Sequence, residues 1–333
     1  MSSLKSDFFF INSLKKIKKE DWNACVDDDH PFIQYEFLFA LEESESACSQ
    51  TGWKPYHYIE SNDANEIIAI CPLYLKSHSY GEYIFDHAWA DAYHRHGLNY
   101  YPKLQSAIPF TPVTGERIFI SKKIKNKKDK IKVIINNIIR EAKKLNVSSA
   151  HFNFIKNPNE WDAEEPIMIR EGIQFHWENN NYKSFDDFLS TLSSRKRKQI
   201  KKERECLKNN NLKVKLLSGD DLQKEDLEFF YKCYLDTTGR KWGSTYLKKE
   251  FFMNILSNFK SKILLMIAYQ NETKVASALN FFSKTHLYGR LWGSKLEIPY
   301  LHFELCYYQA IDYAIENNIK YVEAGAQGEH KLS

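Results

Sequence analysis

The sequence predicts a mixed α/β protein built of two tandem units. Three observations predict it. The chain has 333 residues, room for two cores when a domain takes ~100–200 residues. Apolar runs of strand length are interspersed with segments of helical periodicity along its whole length. One order of elements (strand, turn, strand, strand, helix, strand) can be read twice.

The second reading of that order starts from an internal repeat. Lys76-Ser77-His78-Ser79-Tyr80-Gly81 aligns with Lys284-Thr285-His286-Leu287-Tyr288-Gly289, and the gapless extension upstream sets Ile67-Ile68-Ala69-Ile70 against Val275-Ala276-Ser277-Ala278. In the first half, strands are expected over 8–11, 56–60, 67–75 and 83–85, with a polar turn at 61–65. A helix over 129–146 follows, with Ile131, Ile134, Ile135, Ile138, Ile139 and Ala142 on one stripe, and then a strand over 150–155. In the second half, strands over 263–269, 275–282 and 286–292 lead to a helix over 301–316 and a strand over 320–323. Leu305, Tyr308, Ile311 and Ile315 share one face of that helix. Further helices are expected over 31–46, where Pro31 suits a first turn, as one long helix over 185–209, and over 222–236 and 246–258. The polar run Asn179-Asn180-Asn181, after a strand over 173–178, sets the boundary between units 1–180 and 181–333.

Hydrophobic residues make up 43% of the chain and aromatics 15%, which argues against global disorder. A net charge of +4 from 47 basic and 43 acidic residues leaves any affinity for polyanions to local patches. No stretch reaches the ~18–20 apolar residues of a membrane span, and the apolar run at 8–11 is shorter than a leader's apolar core of ~7–15 residues and is followed by lysines at 15–19. The six cysteines are scattered, without a Cys-x-x-Cys pair, and are expected as buried reduced thiols. The expected compartment is the cytoplasm. The lysine-rich segment 122–132 reads as a solvated loop entering a helix.

Five strings carry a family resemblance: His30-Pro31-Phe32 with the helix after it; Tyr74-Leu75-Lys76-Ser77-His78-Ser79-Tyr80-Gly81-Glu82-Tyr83; Asp86-His87-Ala88-Trp89-Ala90-Asp91-Ala92-Tyr93; Tyr100-Tyr101-Pro102-Lys103-Leu104-Gln105-Ser106 running on to Pro109-Phe110-Thr111-Pro112-Val113-Thr114-Gly115; and the tail Gly325-Ala326-Gln327-Gly328-Glu329-His330-Lys331. Together with paired helices ahead of an antiparallel meander, they resemble two GNAT acyltransferase units in tandem, as in the FemAB family and its FemAB-like group of predicted N-acyltransferases. The resemblance implies transfer of an acyl or aminoacyl group to an amine by direct attack, with a general base and no covalent intermediate. It implies no tightly bound cofactor. The co-substrate would be an acyl-CoA or an aminoacyl-tRNA, and the acceptor a small-molecule or peptidoglycan-precursor-like amine. Two departures stand out. The Arg/Gln-x-x-Gly-x-Gly/Ala loop that holds pyrophosphate on a helix N-terminus is missing at both strand-to-helix junctions, 86–93 and 293–300. The chain also stops at Ser333, where a GNAT unit would add a helix and two strands, so the second unit is expected to be truncated.

Segment 86–96 is the densest polar and aromatic cluster of the chain. It is read either as a pocket, with Asp86, His87 and Asp91 as acid–base candidates and Trp89 and Tyr93 against substrate, or as a loop whose histidines bond locally. Tyr101, Lys103 and Gln105 line a groove on the first reading and a rigid surface on the second. Arg195, Lys198 and Lys202 share a helix face suited to phosphates or RNA, although Glu203 and Glu205 follow closely. Arg290 and Trp292 share a strand face. His302 and Glu304 occupy a helix's first turn, where a carboxylate is favoured by the dipole. Glu323 ends a strand, and Gln327 and His330 lie in the tail. Glu304 and Glu323 join the list of possible bases. Neither DNA nor a metal is expected as a partner. Two rival classes remain: a non-catalytic binding module on a transferase scaffold, and an RNA-binding protein acting through the basic helix.

Overall fold

Runs of Ile, Leu, Val and aromatic residues at strand and helix spacing give each half of the chain its own core. The computed structural model describes residues 6–26, 29–242, 245–323 and 325. The chain divides into residues 1–28 with 32–172, and residues 29–31 with 173–333.

The first unit runs β1 (Ser6–Ile11), α1 (Lys19–Cys25), α2 (Tyr35–Glu43), β2 (Trp53–Pro55), β3 (His57–Asn62), β4 (Ile67–Cys71), β5 (Tyr74–Lys76), α3 (His87–Arg95), β6 (Lys103–Ser106), β7 (Phe119–Ile120), α4 (Lys127–Lys144) and β8 (Ala150–Phe152). Its strands form two sheets, β1-β3-β4-β7 and β2-β5-β6-β8. Only β6 and β8 pair in parallel among these strands. The isoleucine stripe of α4 is buried at Ile134, Ile135 and Ile138 against Tyr58, Ala69, Cys71 and Leu104. Cys71 behaves as the small hydrophobe expected, its thiol pushed up to about 12 by burial. His57 is fully buried. Its Nδ1 accepts the Leu73 N–H at 3.1 Å, so Nε2 carries the proton that is donated to Glu42 Oε1 at 2.8 Å. Glu42 Oε2 takes the Leu14 N–H at 2.9 Å. One buried imidazole thereby joins β3 to α2 and to the segment after β1.

The second unit runs β9 (His176–Glu178), α5 (Phe185–Ser190), α6 (Ser194–Asn209), β10 (Leu212–Ser218), α7 (Lys224–Trp242), α8 (Lys249–Phe259), β11 (Ile263–Gln270), β12 (Thr273–Phe282), β13 (His286–Ser294), α9 (Leu301–Phe303), a π-helical turn (Glu304–Tyr308), α10 (Gln309–Glu316) and β14 (Tyr321–Glu323). One sheet of order β10-β11-β12-β13-β14-β9 results, with β13 and β14 its parallel pair. Leu264, Met266, Ala276, Ala278 and Leu287 of the sheet bury against Leu305, Ala310 and Ala314 of the helical segment.

Both units therefore carry a meander that ends on a strand paired in parallel with the strand after an amphipathic helix, the order of a GNAT unit. The two leading hairpins also share a defect. The β3–β4 register slips between Glu60 and Ser61, and the β11–β12 register between Ala268 and Tyr269, at positions that the aligned repeat equates.

Several expectations fail. No strand forms over 83–85; residues 77–86 are turns and bends, with Tyr83 at φ 58°. The third strand of the meander is instead β6. The repeat thus stops at the turn, because the chain leaves the sheet after Lys76, whereas His286 already opens β13. The single long helix over 185–209 is two helices, since Ser193 caps α6 by accepting the Lys196 N–H. β10 was not anticipated, although Leu212, Val214 and Leu216 alternate with Lys213 and Lys215. The division falls at Gly172 and Ile173 rather than at 179–181 because β9 joins the second unit's sheet beside β14.

Gly293 lets α7 pack tightly on β13: a Cβ there would lie 2.2 Å from the Cys233 carbonyl oxygen. Gly239, inside α7, has nothing within 4 Å of that position. Gly293→Ala is expected to destabilise the protein by about 1–3 kcal/mol, and Gly239→Ala to stabilise it by roughly 0.5–1 kcal/mol. Urea-unfolding midpoints of the two variants will shift in opposite directions.

Candidate functional site

Three strand segments of the first unit alternate polar and apolar residues. Tyr74 and Lys76 on β5, Lys103 and Gln105 on β6, and His151 and Asn153 along and just past β8 point to one face. The register sets Tyr74 against Gln105, Lys76 against Lys103, and Gln105 against His151. Tyr74, Lys76, Lys103 and Gln105 are fully buried.

Two buried ammonium groups require counter-charges, and segment 77–86 supplies them. Lys103 Nζ donates to Glu82 Oε2 at 2.8 Å and also to Asp86 Oδ2. Tyr100 donates its hydroxyl to the same Asp86 oxygen at 2.9 Å. Lys76 Nζ stands 3.6 Å from the centre of a Trp53 ring, donates to the Tyr80 carbonyl at 3.3 Å and lies 4.0 Å from Glu82 Oε1. His151 Nδ1 is 3.9 Å from Asp86 Oδ2, and its Nε2 is 2.9 Å from Ser149 Oγ. Arg170 approaches the other Asp86 oxygen at 3.8 Å. The His151 side chain is 29% exposed and that of Asp86 4%, so the imidazole joins the buried charges to solvent.

Burial brings the Lys76 ammonium down to about 7, against the pull of Glu82 and with the help of Lys103. Burial also raises the Glu82 carboxyl, in opposition to Lys103. For Asp86 burial acts the same way, but the Lys103 and Tyr100 hydrogen bonds and the Lys103 charge outweigh it and hold the carboxyl below its ordinary range. His151 is lowered to about 4, first by burial and then by the Lys103 charge, with Asp86 opposing. At neutral pH the geometry presents a carboxylate facing a neutral imidazole, which can accept a proton.

The sequence-derived candidates separate into groups. Asp86, Lys103, Tyr101 and Gln105 belong to or border this cluster; the Tyr101 hydroxyl bonds Ser79, and its ring meets Tyr100 at 4.9 Å. Segment 87–95, read as a pocket or loop, is the surface helix α3, which has no buried residue. His87 and Asp91 are exposed on it, Trp89 is 50% exposed, and Tyr93 packs on Tyr100 at 5.2 Å. Asp86 is the N-cap residue of α3 but makes no capping bond with its side chain, because its carboxylate is turned onto Lys103. The residues missed are Lys76, Glu82, Tyr100, Ser149 and His151. Lys76 and His151 carried a signal, polar residues alternating with apolar ones on β5 and β8, whereas Glu82, Tyr100 and Ser149 lie outside the strands and carried none.

In the second unit, Arg290 and Glu323 form a buried ion pair at 2.9 Å across β13 and β14. The β12–β13 register slips between Leu279 and Asn280, opposite Gly289 and Leu291, which leaves Arg290 in the bulge. Trp292 packs on His302 at 5.0 Å. Glu304 is buried and pairs with Arg204 at 3.0 Å. Arg195, Lys198 and Lys202 are exposed on α6. Gln327 and His330 lie outside the described residues.

A family model described as peptidoglycan biosynthesis/recognition, FemAB-like, matches residues 13–333. No curated protein gives a significant match. Among solved structures, FemX superposes with a TM-score of 0.52 at 12% identity, covering 93% of this chain and 88% of its own. The C-terminal domain of a putative lysylphosphatidylglycerol synthetase from Agrobacterium fabrum gives 0.53 at 8% identity, covering 92% and 78%. L-PGS from Bacillus licheniformis gives 0.50 at 10% identity, covering 92% and 82%. At these identities the likeness is one of fold.

The Lys76 ammonium makes stability depend on pH with a definite sign. The folded chain releases this proton near 7 and the unfolded chain near 10.5, so between those values the unfolded state binds more protons and stability rises with pH. The contribution is at most about 1.4 kcal/mol per pH unit. Urea unfolding at pH 6.5 and 9 should show wild type gaining on Lys76→Met; parallel profiles for the two would refute the depressed ammonium.

Proposed function

We propose that this chain, which belongs to the FemAB-like family, transfers an acyl or aminoacyl group from a thioester or ester donor to an amine, with His151 accepting the amine's proton. The observation that carries this reading is the neutral, solvent-reaching imidazole of His151 facing the buried Asp86 carboxylate at 3.9 Å. In the reaction the amine nitrogen attacks the donor carbonyl carbon, a C–N bond forms and the carbonyl oxygen becomes an oxyanion. The ammonium proton passes to His151 Nε2, directly or through the Ser149 hydroxyl at 2.9 Å, while Asp86 stabilises the imidazolium. Collapse of the oxyanion expels the thiolate or alkoxide, which takes the proton back from His151.

The family's description favours a peptidoglycan-precursor-like amine as acceptor. Phosphates of a CoA or tRNA donor are suited to Arg195, Lys198 and Lys202, which stand exposed along α6 without an ion-pair partner among the described residues. A second reading, a non-catalytic module on a transferase scaffold, is favoured by the complete burial of Lys76 and Lys103, because ammonium groups that no substrate can touch serve a structural role equally well.

Mass spectrometry of products formed with acyl-CoA and aminoacyl-tRNA donors tests the proposal. His151→Ala should lower kcat by roughly 100-fold, the low end for general bases, because an imidazole lowered to about 4 is a weak base. With rates normalised to the unprotonated amine, the acid limb of kcat/KM should fall near pH 4 rather than near 6.5. Wild-type rates in His151→Ala would remove His151 from the chemistry. Failure of the wild type to turn over or bind either donor class would overturn the transferase reading.

A further inference from the structure

Strand β8 ends its sheet, so its free edge is left to whatever the chain supplies next. Residues 161–172 form neither helix nor strand, and none of residues 162–172 makes a backbone-to-backbone hydrogen bond among the described residues. Side chains attach the segment instead. Trp161 packs on Phe152 at 4.9 Å, on the face of β8 that meets α4. Lys132, Asn136, Arg140 and Lys143 form one stripe along α4, spaced four, four and three residues apart, and each holds one point of the segment. Lys132 pairs with Asp162 at 2.6 Å, Arg140 with Glu164 at 3.4 Å and Lys143 with Glu165 at 2.6 Å, while Asn136 Oδ1 accepts the Glu164 N–H at 2.9 Å. Further on, Arg170 donates to the Phe85 carbonyl at 3.4 Å and stands 3.8 Å from Asp86 Oδ1. Asp86 faces His151, whose side chain points to the opposite face of β8 from Phe152. The segment begins on one face of the edge strand and ends against the carboxylate on the other.

This attachment is mostly ionic and open to water. All six side chains of the three ion pairs are between 44% and 65% exposed, and exposed pairs hold weakly and are screened by salt. The apolar hold on the core is confined to Trp161 and Ala163. Beyond Glu165 no apolar anchor takes over, because Ile167, Met168 and Ile169 are exposed. We propose that residues 161–172 are a salt-released strap around β8. Closed, the strap keeps Arg170 on Asp86. Released, it frees that carboxylate and opens the approach to His151. The regulatory meaning rests on His151 as the acceptor of the amine's proton, but the release itself does not, and neither readout below needs turnover.

Two measurements on the full chain test it, both located by mass spectrometry. Chymotrypsin can cut after Trp161 only once the indole leaves Phe152, so the initial rate at that bond reads release. Carbethoxylation of His151 by diethyl pyrocarbonate reads the approach to the imidazole. A synthetic peptide of residues 156–172 corrects for the effect of salt on the protease, and resistance at Tyr269 and Phe281 verifies that the fold is intact. Between 0.1 M and 1 M sodium chloride, cleavage after Trp161 should rise at least about fivefold, the upper worth of one exposed ion pair. At 0.1 M salt, Lys143→Glu should raise it to a similar extent, and the double variant Lys143→Glu with Glu165→Lys should restore the wild-type rate. Modification of His151 should rise and fall with the cleavage. Cleavage after Trp161 that ignores salt, or a double variant no slower than Lys143→Glu alone, would overturn the ionic strap. His151 modification that stays constant while Trp161 cleavage rises would overturn its control of the site.

Discussion

The ionic hydrogen bonds of Lys103 are the constraint on which the first unit's site depends. An ammonium placed on a buried sheet face is unstable unless carboxylates come to it, and none is available on the neighbouring strands β5 and β8. They come from segment 77–86, which leaves the sheet after Lys76 and is drawn back over the polar face by Glu82 and Asp86. The remaining features follow. Asp86 is kept anionic at the start of α3, Tyr100 is oriented by its bond to Asp86, and His151 meets a fixed negative charge on one side and Ser149 on the other.

The second unit meets the same problem in another way. Its parallel strand pair also carries a buried cation, Arg290, but the partner is Glu323 on the adjacent strand. The charge is neutralised within the sheet, and the connection from β12 to β13 is only the tight turn over 283–285. No intervening segment has to be recruited. The contrast accounts for the long excursion over 77–102 in one unit and its absence in the other, on otherwise corresponding meanders. It also places the ionic chemistry at the parallel pair in both units, where the strands that follow the meander and the helix meet.

Sequence patterns exposed the elements whose signals are local. The isoleucine stripe of α4 buries as its spacing requires, the strands over 263–282 form the hairpin expected of continuous apolar runs, and the β1 segment pairs as a strand with β3. Aromatic residues misled the reading at 83–85, because β propensity expresses a fit to a half-buried pleat, and the left-handed backbone at Tyr83 takes the chain away from any partner strand. Segment 86–96 reads as a pocket or a loop because it gathers His, Asp and aromatic residues without an apolar stripe. It is helical, with Asp86 beginning the helix while its side chain serves Lys103. In the candidate site, Asp86 and Lys103 were visible as charges in aromatic surroundings. Glu82 and Tyr100 were not, since they lie outside the strands, and the alternation on β8 did not reveal that His151 would face Asp86.

By itself the sequence determined the class of the fold, the two-unit organisation, most helices and hairpins, and the residue types from which an ionic site could be made. These are properties of periodicity and composition, which act over a few residues at a time. Tertiary structure alone decided which charges meet and what state they adopt. The difference is physical: the protonation of Lys76, Asp86 and His151 depends on burial and on groups brought within a few ångströms across the sheet, and neither quantity exists until the strands have paired.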